Sequence, residues 1–528
     1  MDTLPDWLTP LPDAAAMRAV DRWAIDEQGV AGVELMERAG SGVARAVERL
    51  APDGAVTVMC GKGNNGGDGL VVARLLRDDG RRVRVVCVEA PAEFSGDAAA
   101  NLARLRGEQP VRLDGAPWRD GDGDGDGGPG LDGCAAIVDA LLGTGFGGEP
   151  RGAVAEAIEA IARSGAPVVS VDVPSGVDAS DGTVRGVAVR ATRTVTFHAA
   201  KPGLWIRPGK AHAGEVEVLD IGIPRGAPTS ASIGLLEHSL AALLPRRDAV
   251  ATKFSSGHVL VAGGSRGLGG APVMAARAAM RAGAGYVTAC IPESLQPTVA
   301  GSGTPELMTR ALPERDGAVT EDAVAAVLAA AQRGGALALG PGLGRSAPAF
   351  AFARALAAAA DVALVLDADG LNAHVGQIED LAARTAPTVL TPHAGELGRL
   401  LGVDSAQIDA ERLLHVRDAA RRAHAVVVLK GDDTLIAEPG GRVAVSPGDS
   451  PALATAGTGD VLGGVIAALL AAGVERFAAA AGAVQLHAEA GRIAARRLGG
   501  AEGVIATDVI EALPAARAAL AGGERGSR

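Results

Sequence analysis

Residues 56–69 read VTVMCGKGNNGGDG, an apolar run rich in β-branched residues followed by a glycine-rich loop, and a helical pattern follows from Val71. The order strand, glycine loop, helix is typical of a doubly wound α/β fold. Residues 61–66 also match G-x-G-x-x-G, a pattern in which the backbone approaches a pyrophosphate. A plain tight turn is the alternative in a chain with 74 glycines. Such a turn does not require Asn64, Asn65 and Asp68, whose side chains indicate contacts with a ligand.

The surrounding sequence alternates short β-rich runs with helical stretches, which predicts a parallel sheet covered on both faces. A segment rich in Pro, Gly, Ser and Ala at 225–232 is the best candidate linker, and a second α/β unit begins near Gly257. We therefore predict two domains, residues 1–226 and 233–528. The predicted strands of the first are 56–60, 83–88, 136–139, 168–172, 194–197 and 215–220.

Composition restricts the class of protein. The chain has 528 residues, a net charge of -12 and 2% aromatic residues. This charge argues against nucleic-acid or anionic-membrane partners. The N-terminus resembles no signal peptide and the longest apolar helical stretch, 465–474, is too short to span a bilayer, so we expect a cytoplasmic protein. Four scattered cysteines predict neither a disulfide framework nor a zinc site.

An acidic segment, RDGDGDGDGGPG at 119–130, begins like a calcium-binding EF-hand loop. Position twelve of that loop would be Leu131, where the motif requires a bidentate glutamate, and no helices flank the segment. A flexible acidic surface insertion is therefore the preferred interpretation.

Lysine is rare, since the chain contains five lysines among 50 basic residues. A lysine retained among so many arginines can serve as a compact ammonium beside phosphate. We expect this chiefly of Lys62, Lys253 and Lys430, which lie beside glycine loops, rather than of Lys201 and Lys210.

Polar side chains follow three predicted strands of the first domain, where a doubly wound sheet binds its ligands. They lie in the loop at 61–69, in VDALLGTGFGG with Asp139, and in VDVPSGVD with Asp172 and Ser175. Ordinary turns and helix caps would explain each segment singly. Together, oxygens of Asn65, Asp139 and Ser175 could converge on a cation, which leaves Asp172 free for proton transfer.

These segments, with MRAVDRWAIDEQG at 17–29, ELMERAG at 34–40 and TVTFHAAKPG at 194–203, closely resemble the NAD(P)H-hydrate epimerase family. The resemblance implies a Rossmann-like three-layer αβα domain that interconverts the two epimers of hydrated NADH or NADPH. It implies that Asp172 is the catalytic acid/base and that Asn65, Asp139 and Ser175 hold a potassium ion. The substrate contacts that it implies are Asn64, Asn65, Gly66, Gly67, Asp68, Gly143, Thr144, Gly145, Phe146, Gly147, Gly148, Glu149 and Asp172.

The second domain lacks a Walker phosphate loop but contains GTGD at 457–460 at the start of a helical stretch. The N–H groups of such a turn can surround phosphate charge, and Asp460 can accept a hydroxyl proton. An ordinary helix cap is the alternative for Asp460. LKGDDT at 429–434 and TPHAGE at 391–396 each follow a predicted strand and favour the phosphate-transfer interpretation.

With GGSRGLGGAPVM at 263–274, LGPGLGR at 339–345 and LDADGLNA at 366–373, these motifs resemble the ADP-dependent NAD(P)H-hydrate dehydratases of ribokinase-like fold. The family's chemistry is phosphorylation of the ring hydroxyl followed by elimination of phosphate, with magnesium on the nucleotide. The resemblance implies hydrate contacts at Ala271, Gly342, His393 and the catalytic Asp460. The nucleotide contacts that it implies are Lys430, Gly431, Asp432, Asp433, Thr434 and Gly459.

We therefore predict a bifunctional repair enzyme for hydrated NAD(P)H, with small-molecule substrates, ADP as co-substrate and a homo-oligomeric state. The main alternative is a ribokinase-like small-molecule kinase fused to a nucleotide-binding domain. A dehydrogenase and a non-enzymatic nucleotide sensor are further alternatives, because fold alone does not separate them.

Overall fold

The computed structural model describes residues 4–112, 131, 133–228, 230–332, 334–448 and 450–522. The acidic segment at 119–130 lies outside these residues. The chain forms two compact units. The first contains Pro10–Ile233, and the second contains Gly234–Arg528 together with the N-terminal segment Leu4–Thr9. No helix among the described residues is long and apolar enough to cross a bilayer.

The N-terminal segment carries a short strand, β1 (Leu8–Pro10), that joins the sheet of the second unit beside the first strand after the linker. Its two apolar anchors, Trp7 and Leu8, are buried in the hydrophobic core of that unit. Our sequence-based boundaries placed these residues in the first domain. The hydrophobic pattern of the sequence does not reveal that they belong to the second unit, because a strand of three residues is too short to show periodicity.

The first unit is built around a sheet of seven parallel strands in the order β4-β3-β2-β5-β6-β7-β8. Its strands are β2 (Val56–Cys60), β3 (Val83–Cys87), β4 (Val111–Arg112), β5 (Ala136–Ala140), β6 (Val168–Val171), β7 (Arg193–Phe197) and β8 (Glu215–Leu219). Its helices are α1 (Ala14–Arg22), α2 (Gly32–Leu50), α3 (Asn64–Asp78), α4 (Gly96–Arg104), α5 (Ala153–Ser164) and α6 (Lys210–Ala213). The predicted Rossmann-like fold is confirmed, and all six predicted strands are present.

The strand order reverses between β2 and β5, which makes their carboxyl ends the topological switch point of the sheet. Every residue of both strands is buried, because helices cover both faces. The glycine loop after β2 leads directly into α3, where Gly69 permits close packing. A Cβ there would lie 2.6 Å from the Cβ of Ala140.

The second unit contains a sheet of eleven strands in the order β1-β9-β20-β19-β18-β17-β16-β15-β10-β11-β12. The strands from β10 to β18 in this sheet are parallel, whereas β18, β19 and β20 pair antiparallel. The bounds are β9 (Ile233–Leu236), β10 (His258–Ala262), β11 (Tyr286–Pro292), β12 (Met308–Leu312), β15 (Ala336–Leu339), β16 (Ala363–Leu366), β17 (Thr388–Leu390), β18 (Val426–Leu429), β19 (Leu435–Ala437) and β20 (Val443–Val445). A separate hairpin contains β13 (Glu314–Arg315) and β14 (Ala318–Val319).

The helices of this unit are α7 (Gly270–Ala282), α8 (Gln296–Ala300), α9 (Val324–Ala331), α10 (Ala347–Ala359), α11 (Asp369–Asn372), α12 (Ala394–Leu401), α13 (Ser405–Ala410), α14 (Arg412–Ala423), α15 (Thr458–Ala471), α16 (Arg476–Leu498) and α17 (Ala506–Gly522). Helix α15 is almost entirely apolar and lies in the core, packed against α7. Their close approach requires glycine, because a Cβ at Gly464 would lie 2.1 Å from the carbonyl oxygen of Ala275. The helix that begins at the GTGD motif is thus held rigidly from its first turn.

Candidate active sites

The first candidate site lies at the switch point of the seven-stranded sheet and centres on Asp172. This residue follows β6 with a φ of 65°, a strained left-handed conformation for a residue other than glycine. Its Oδ1 accepts hydrogen bonds from Lys201 Nζ at 2.6 Å and from Thr196 Oγ1 at 3.2 Å. Its Oδ2 accepts hydrogen bonds from the backbone N of Thr144, at 3.2 Å, and from Thr144 Oγ1. Both carboxylate oxygens are therefore fixed in position.

The local charges give two carboxyl groups of this site opposite proton affinities. Burial alone would raise the pKa of Asp172, but the charge of Lys201 and the hydrogen bonds from Lys201 and Thr144 outweigh it and lower the pKa. Asp68 is 8% exposed, and its pKa is raised well above the usual value by burial and by the charges of Asp172 and Asp21. Two carboxyl groups whose pKa values are shifted in opposite directions are suited to separate roles as proton acceptor and proton donor.

A second group of oxygen atoms surrounds Asp139, which is completely buried. Ser175 Oγ donates to Asp139 Oδ1 at 2.5 Å, and Ser170 Oγ donates to Asp139 Oδ2 at 2.8 Å. Leu142 links this group to the glycine loop, because its N donates to Ser175 Oγ and its carbonyl accepts from Asn65 Nδ2, both at 2.9 Å. The three predicted cation ligands thus lie together.

The charge of Asp139 lacks a basic partner among the described residues, since no lysine or arginine forms an ion pair with it there. Burial raises its pKa, against the opposing effect of the hydrogen bonds from Ser175, Ser170 and Leu141. One carboxylate with hydroxyl, amide and carbonyl oxygens suits a monovalent cation, which would balance the buried charge. In the described part of the chain, no three His, Cys, Asp or Glu side chains form a metal-binding cluster.

The second candidate site lies at the ends of three adjacent parallel strands, β16, β17 and β18. Lys430 follows β18, and its Nζ lies 3.1 Å from Oδ1 of Asp367, which follows β16. The same ammonium lies 3.6 Å from Oε2 of Glu396 in the first turn of α12. These carboxylates raise the pKa of Lys430 despite its burial, which acts in the opposite direction. Lys430 is therefore a fixed positive charge at this edge of the sheet.

Asp460 completes this cluster from the first turn of α15. Its pKa is raised to about 7, first by burial and then by the negative charge of Asp367, against the opposing charge of Lys430. A carboxylate that titrates near neutral pH is suited to general base catalysis.

The start of α15 is shaped to receive an anion. Gly457 has a φ of 91°, and a Cβ there would lie 2.7 Å from Met274 Sδ. A Cβ at Gly459 would lie 3.4 Å from Lys430 Nζ, so the first turn of the helix is close to this ammonium. Free N–H groups at a helix N-terminus beside a lysine favour phosphate.

A cavity of about 510 Å³ opens beside this helix start. Its polar side includes Lys430, Asp432, Thr434 and Gly459, and its apolar side includes Leu453, Leu462 and Val484. His487 also lines it and remains neutral, because burial lowers its pKa to about 4. An apolar wall beside a cation and a helix N-terminus chemically suits a nucleotide, which carries an apolar base and anionic phosphates.

Two family models match the chain, one for each unit. The YjeF-related protein N-terminus model covers residues 32–203, and the NAD(P)H-hydrate dehydratase model covers residues 259–515. The bifunctional NAD(P)H-hydrate repair enzyme Nnr of Salinibacter ruber is 43% identical over 96% of this chain and 95% of its own length. The enzyme of the same name from Moorella thermoacetica is 40% identical, over 96% of both chains.

The chain belongs to the bifunctional NAD(P)H-hydrate repair enzyme family. Among solved structures, the ADP/ATP-dependent NAD(P)H-hydrate dehydratase of Bacillus subtilis, co-crystallised with ATP and Mg²⁺, is 28% identical and has a TM-score of 0.44. The likeness covers 53% of this chain and 96% of that one.

The residues predicted to contact the hydrate in the epimerase unit differ in exposure. Thr144 and Asp172 lie in the site, whereas Asn64, Gly145, Gly147 and Glu149 are exposed. Gly66 and Gly67 permit internal packing, because a Cβ would lie 1.7 Å from the carbonyl oxygen of Gly61 and 2.6 Å from Met36 Sδ, respectively. Close packing inside the protein is therefore a sufficient reason for glycine at positions 66 and 67 of the loop.

In the dehydratase unit, the structure brings Ala271 and Gly342 together, since a Cβ at Gly342 would lie 3.1 Å from that of Ala271. His393 caps α12, and its Nε2 lies 3.7 Å from Glu396 Oε2. Burial lowers the pKa of His393, against the charge of Glu396. His393 is thereby connected to the Lys430 cluster through Glu396.

Asp433 differs from the other residues of the predicted nucleotide segment 430–434, because it alone of the five does not line the cavity. Its side chain is completely buried, and its Oδ2 accepts a hydrogen bond from Arg412 Nε at 3.0 Å. The adjacent Asp432 lines the cavity. The Asp433 carboxylate thus stabilises the turn through its contact with Arg412.

The lysines have different surroundings. Lys430 lies in a site, but Lys62 is exposed in an ion pair with Glu93 and Lys253 is exposed above the ring of Phe254. Lys201, for which we did not expect a phosphate role, is 1% exposed and contacts Asp172. The signal that could have identified Lys201 is its place four residues after β7, in a motif already tied to the epimerases. Asp367 was missed too, although it directly follows β16.

Proposed function

We propose that this member of the family repairs hydrated NADH and NADPH in two steps, one in each unit. The first unit interconverts the R and S epimers at C6 of the hydrated nicotinamide ring. The second unit converts the S hydrate to NAD(P)H with ADP. The observation that carries the proposal is the presence in one chain of an Asp172–Lys201 ion pair and of a separate cavity lined by Lys430 and by the start of the helix that contains Asp460.

In the first site, Asp172 acts as the proton acceptor and donor. Lys201 keeps it ionised, and Thr144 and Thr196 orient its two oxygens. Asp68, whose pKa is raised by burial and by the charges of Asp172 and Asp21, lies in the family's substrate loop, where its carboxyl group can exchange a proton with the hydrate. Inversion at C6 requires a bond to that carbon to break and re-form on the other face of the ring. Proton transfer to and from the reacting heteroatom assists both steps, and no net redox change is involved.

The residues Asn65, Asp139 and Ser175 would hold a potassium ion in the same unit. Their donors are oxygens, and Asp139 supplies one buried negative charge that lacks a basic partner among the described residues. When bound, such an ion would supply positive charge near the substrate loop. The residues themselves fix the loop through the contact of Asn65 with Leu142.

In the second site, Asp460 removes the proton from the ring hydroxyl while that oxygen attacks the terminal phosphorus of ADP. Lys430 and the N–H groups at the start of α15 stabilise the charge on the transferred phosphoryl group. AMP leaves, and elimination of phosphate from the phosphorylated ring then gives NAD(P)H. Magnesium would enter with the nucleotide and neutralise phosphate charge.

A single assay tests the whole proposal. Purified protein is incubated with both hydrate epimers, ADP and magnesium, and the recovery of reduced-nicotinamide absorbance is followed. We expect conversion of both epimers, with AMP and phosphate formed in equal amounts. Conversion of only the S epimer would remove the epimerase assignment. No conversion of either epimer would remove the dehydratase assignment.

The kinase alternative has a specific observation in its favour, the similarity of the GTGD helix start to small-molecule kinases. It predicts that a phosphorylated nucleotide accumulates as a stable product. Mass spectrometry of the products distinguishes the kinase from the repair enzyme, because repair forms free phosphate and NAD(P)H and no stable phosphorylated product. The predicted potassium ion and homo-oligomer remain predictions of this proposal.

A further inference from the structure

A second cavity of the dehydratase unit, of about 560 Å³, shares no lining residue with the nucleotide cavity. Four arginines line it: Arg246, Arg247, Arg281 and Arg517. Asp248 is the single carboxylate among the described residues that line it. The cavity is thus strongly basic in a chain whose net charge is -12.

Among the described residues, carboxylates balance only part of the positive charge in this cavity. Arg281 pairs with Glu511 at 2.6 Å. Arg246, Arg247 and Arg517 form no ion pair with a carboxylate in the described part of the chain. Burial lowers the pKa of Arg517, and the charges of Arg247 and Arg246 lower it further. Like charges gathered without a counter-charge indicate a place for an anion.

Two of these guanidinium groups are held in place by the end of α7. Arg517 donates to the carbonyl oxygen of Ala282 at 2.6 Å, and Arg247 donates to that of Gly283 at 3.1 Å. Carbonyl oxygens at a helix C-terminus attract cations but carry only partial charge. Each guanidinium has five N–H donors in a planar fork, so donors remain for a ligand.

The rest of the cavity wall is apolar and comes from Ala468, Leu469, Ala472 and Pro514. A guanidinium cluster above an apolar wall fits an organic molecule that carries phosphate, because arginine matches phosphate oxygens in bidentate geometry. The volume is similar to the 510 Å³ of the nucleotide cavity, so the space is more than a bare phosphate needs.

We propose that this arginine cavity is a second binding site of the dehydratase unit, for a phosphate-bearing small molecule. It binds its ligand independently of the ADP site. The proposal does not depend on the catalytic assignments above.

The test uses the full chain and measures protection of individual arginines. Phenylglyoxal modifies accessible guanidinium groups, and peptide mass spectrometry gives the rate at Arg246, which is exposed and lines the cavity. The matched control within the same sample is Arg497, an exposed arginine outside the lining. Pyrophosphate, AMP and inorganic phosphate are the probes, and potassium chloride at equal ionic strength is the salt control.

We expect pyrophosphate and AMP to slow modification of Arg246 saturably while Arg497 reacts at an unchanged rate. AMP should act at lower concentration than inorganic phosphate because of the apolar wall. In Arg517→Gln the concentration for half-protection of Arg246 should rise at least about tenfold, since a charge-assisted contact to phosphate is lost. Arg247→Gln provides the same measurement if Arg517→Gln does not fold.

Three results would overturn the proposal. One is a rate of modification at Arg246 that no probe changes. Another is protection of Arg246 by potassium chloride as strong as that by pyrophosphate. The third is an unchanged half-protection concentration in a folded Arg517→Gln or Arg247→Gln variant.

Discussion

At the scale of single residues, the epimerase unit depends on a carboxylate whose chemistry is set by its neighbours. We predict that Asp172→Asn lowers epimerisation by about 10²- to 10⁴-fold, the usual contribution of a general acid/base. ADP-driven dehydration of the S hydrate should be unchanged, because Asp172 lies in the other unit. The assay starts from pure R hydrate and follows the appearance of the S epimer. An equilibration rate like that of the parent would show that Asp172 is not the catalytic group.

Lys201 acts on the reaction through Asp172, so its removal should change a pH profile rather than only a rate. Its charge holds the pKa of Asp172 down in the folded enzyme. In Lys201→Met this pKa should rise, and the acid limb of epimerisation should move to higher pH, with activity partly recovered as pH increases. The matched control is Lys253→Met, which removes an exposed lysine. A uniform loss of rate with an unmoved acid limb would make Lys201 purely structural.

In the dehydratase unit a pH profile also tests Asp460, whose pKa is raised, whereas that of Asp172 is lowered. Because its pKa is raised to about 7, the ionised base is lost as pH falls below neutrality, and dehydration should decline along an acid limb near pH 7. Asp460→Asn should lower dehydration by about 10²- to 10⁴-fold and remove that limb. ADP binding, measured by calorimetry, should be largely retained and epimerisation unchanged. Near-normal dehydration would identify Asp460 as a simple helix cap.

At the scale of secondary-structure elements, the sequence was informative wherever a strand ended in a motif. Six of the seven strands in the sheet of the first unit and the helix start at Gly457 followed from periodicity and turn residues, whereas the two-residue strand β4 did not. The residues that contact those motifs could not be predicted in this way. Lys201 meets Asp172 only because β6 and β7 are neighbours in the sheet, and pairing between distant strands leaves no local signal. The arginine cavity was missed for the same reason, since its guanidinium groups come from segments far apart in the chain.

The turn between β18 and β19 shows that adjacent residues of one motif can have different functions. Without the Asp433 carboxylate, Arg412, which is 4% exposed, would lose the acceptor of its Nε and keep Asp409 and the carbonyl oxygen of Lys430 as partners. Asp433→Ala should therefore destabilise the second unit by roughly 1–3 kcal/mol, the cost of a buried donor left without its acceptor. The measurement is urea unfolding followed by circular dichroism. The matched variant Asp432→Ala should keep the stability and weaken ADP binding instead, and equal stability losses in both variants would contradict this division.

At the scale of the whole molecule, the N-terminal segment influences the unit that follows the linker. Trp7 is 9% exposed, and its ring centroid lies 5.5 Å from that of Phe477. Trp7→Ala should cost about 3–5 kcal/mol, the range for a large buried aromatic side chain. We expect the temperature at which dehydration is lost to fall more than that for epimerisation. Trp23→Ala, which alters the core of the first unit, should show the reverse order.

The position of β1 also has a consequence for biosynthesis. The strand leaves the ribosome well before its neighbour β9, which begins only at Ile233. Strand β9 in turn pairs with β20, which ends at Val445. At translation rates of about 5–20 residues per second, the strand waits roughly 10–45 s for its first partner. During that interval Trp7 and Leu8 have no core to enter. The nascent chain therefore exposes an apolar edge while the first unit folds behind it, which makes this segment a natural target for a ribosome-associated chaperone.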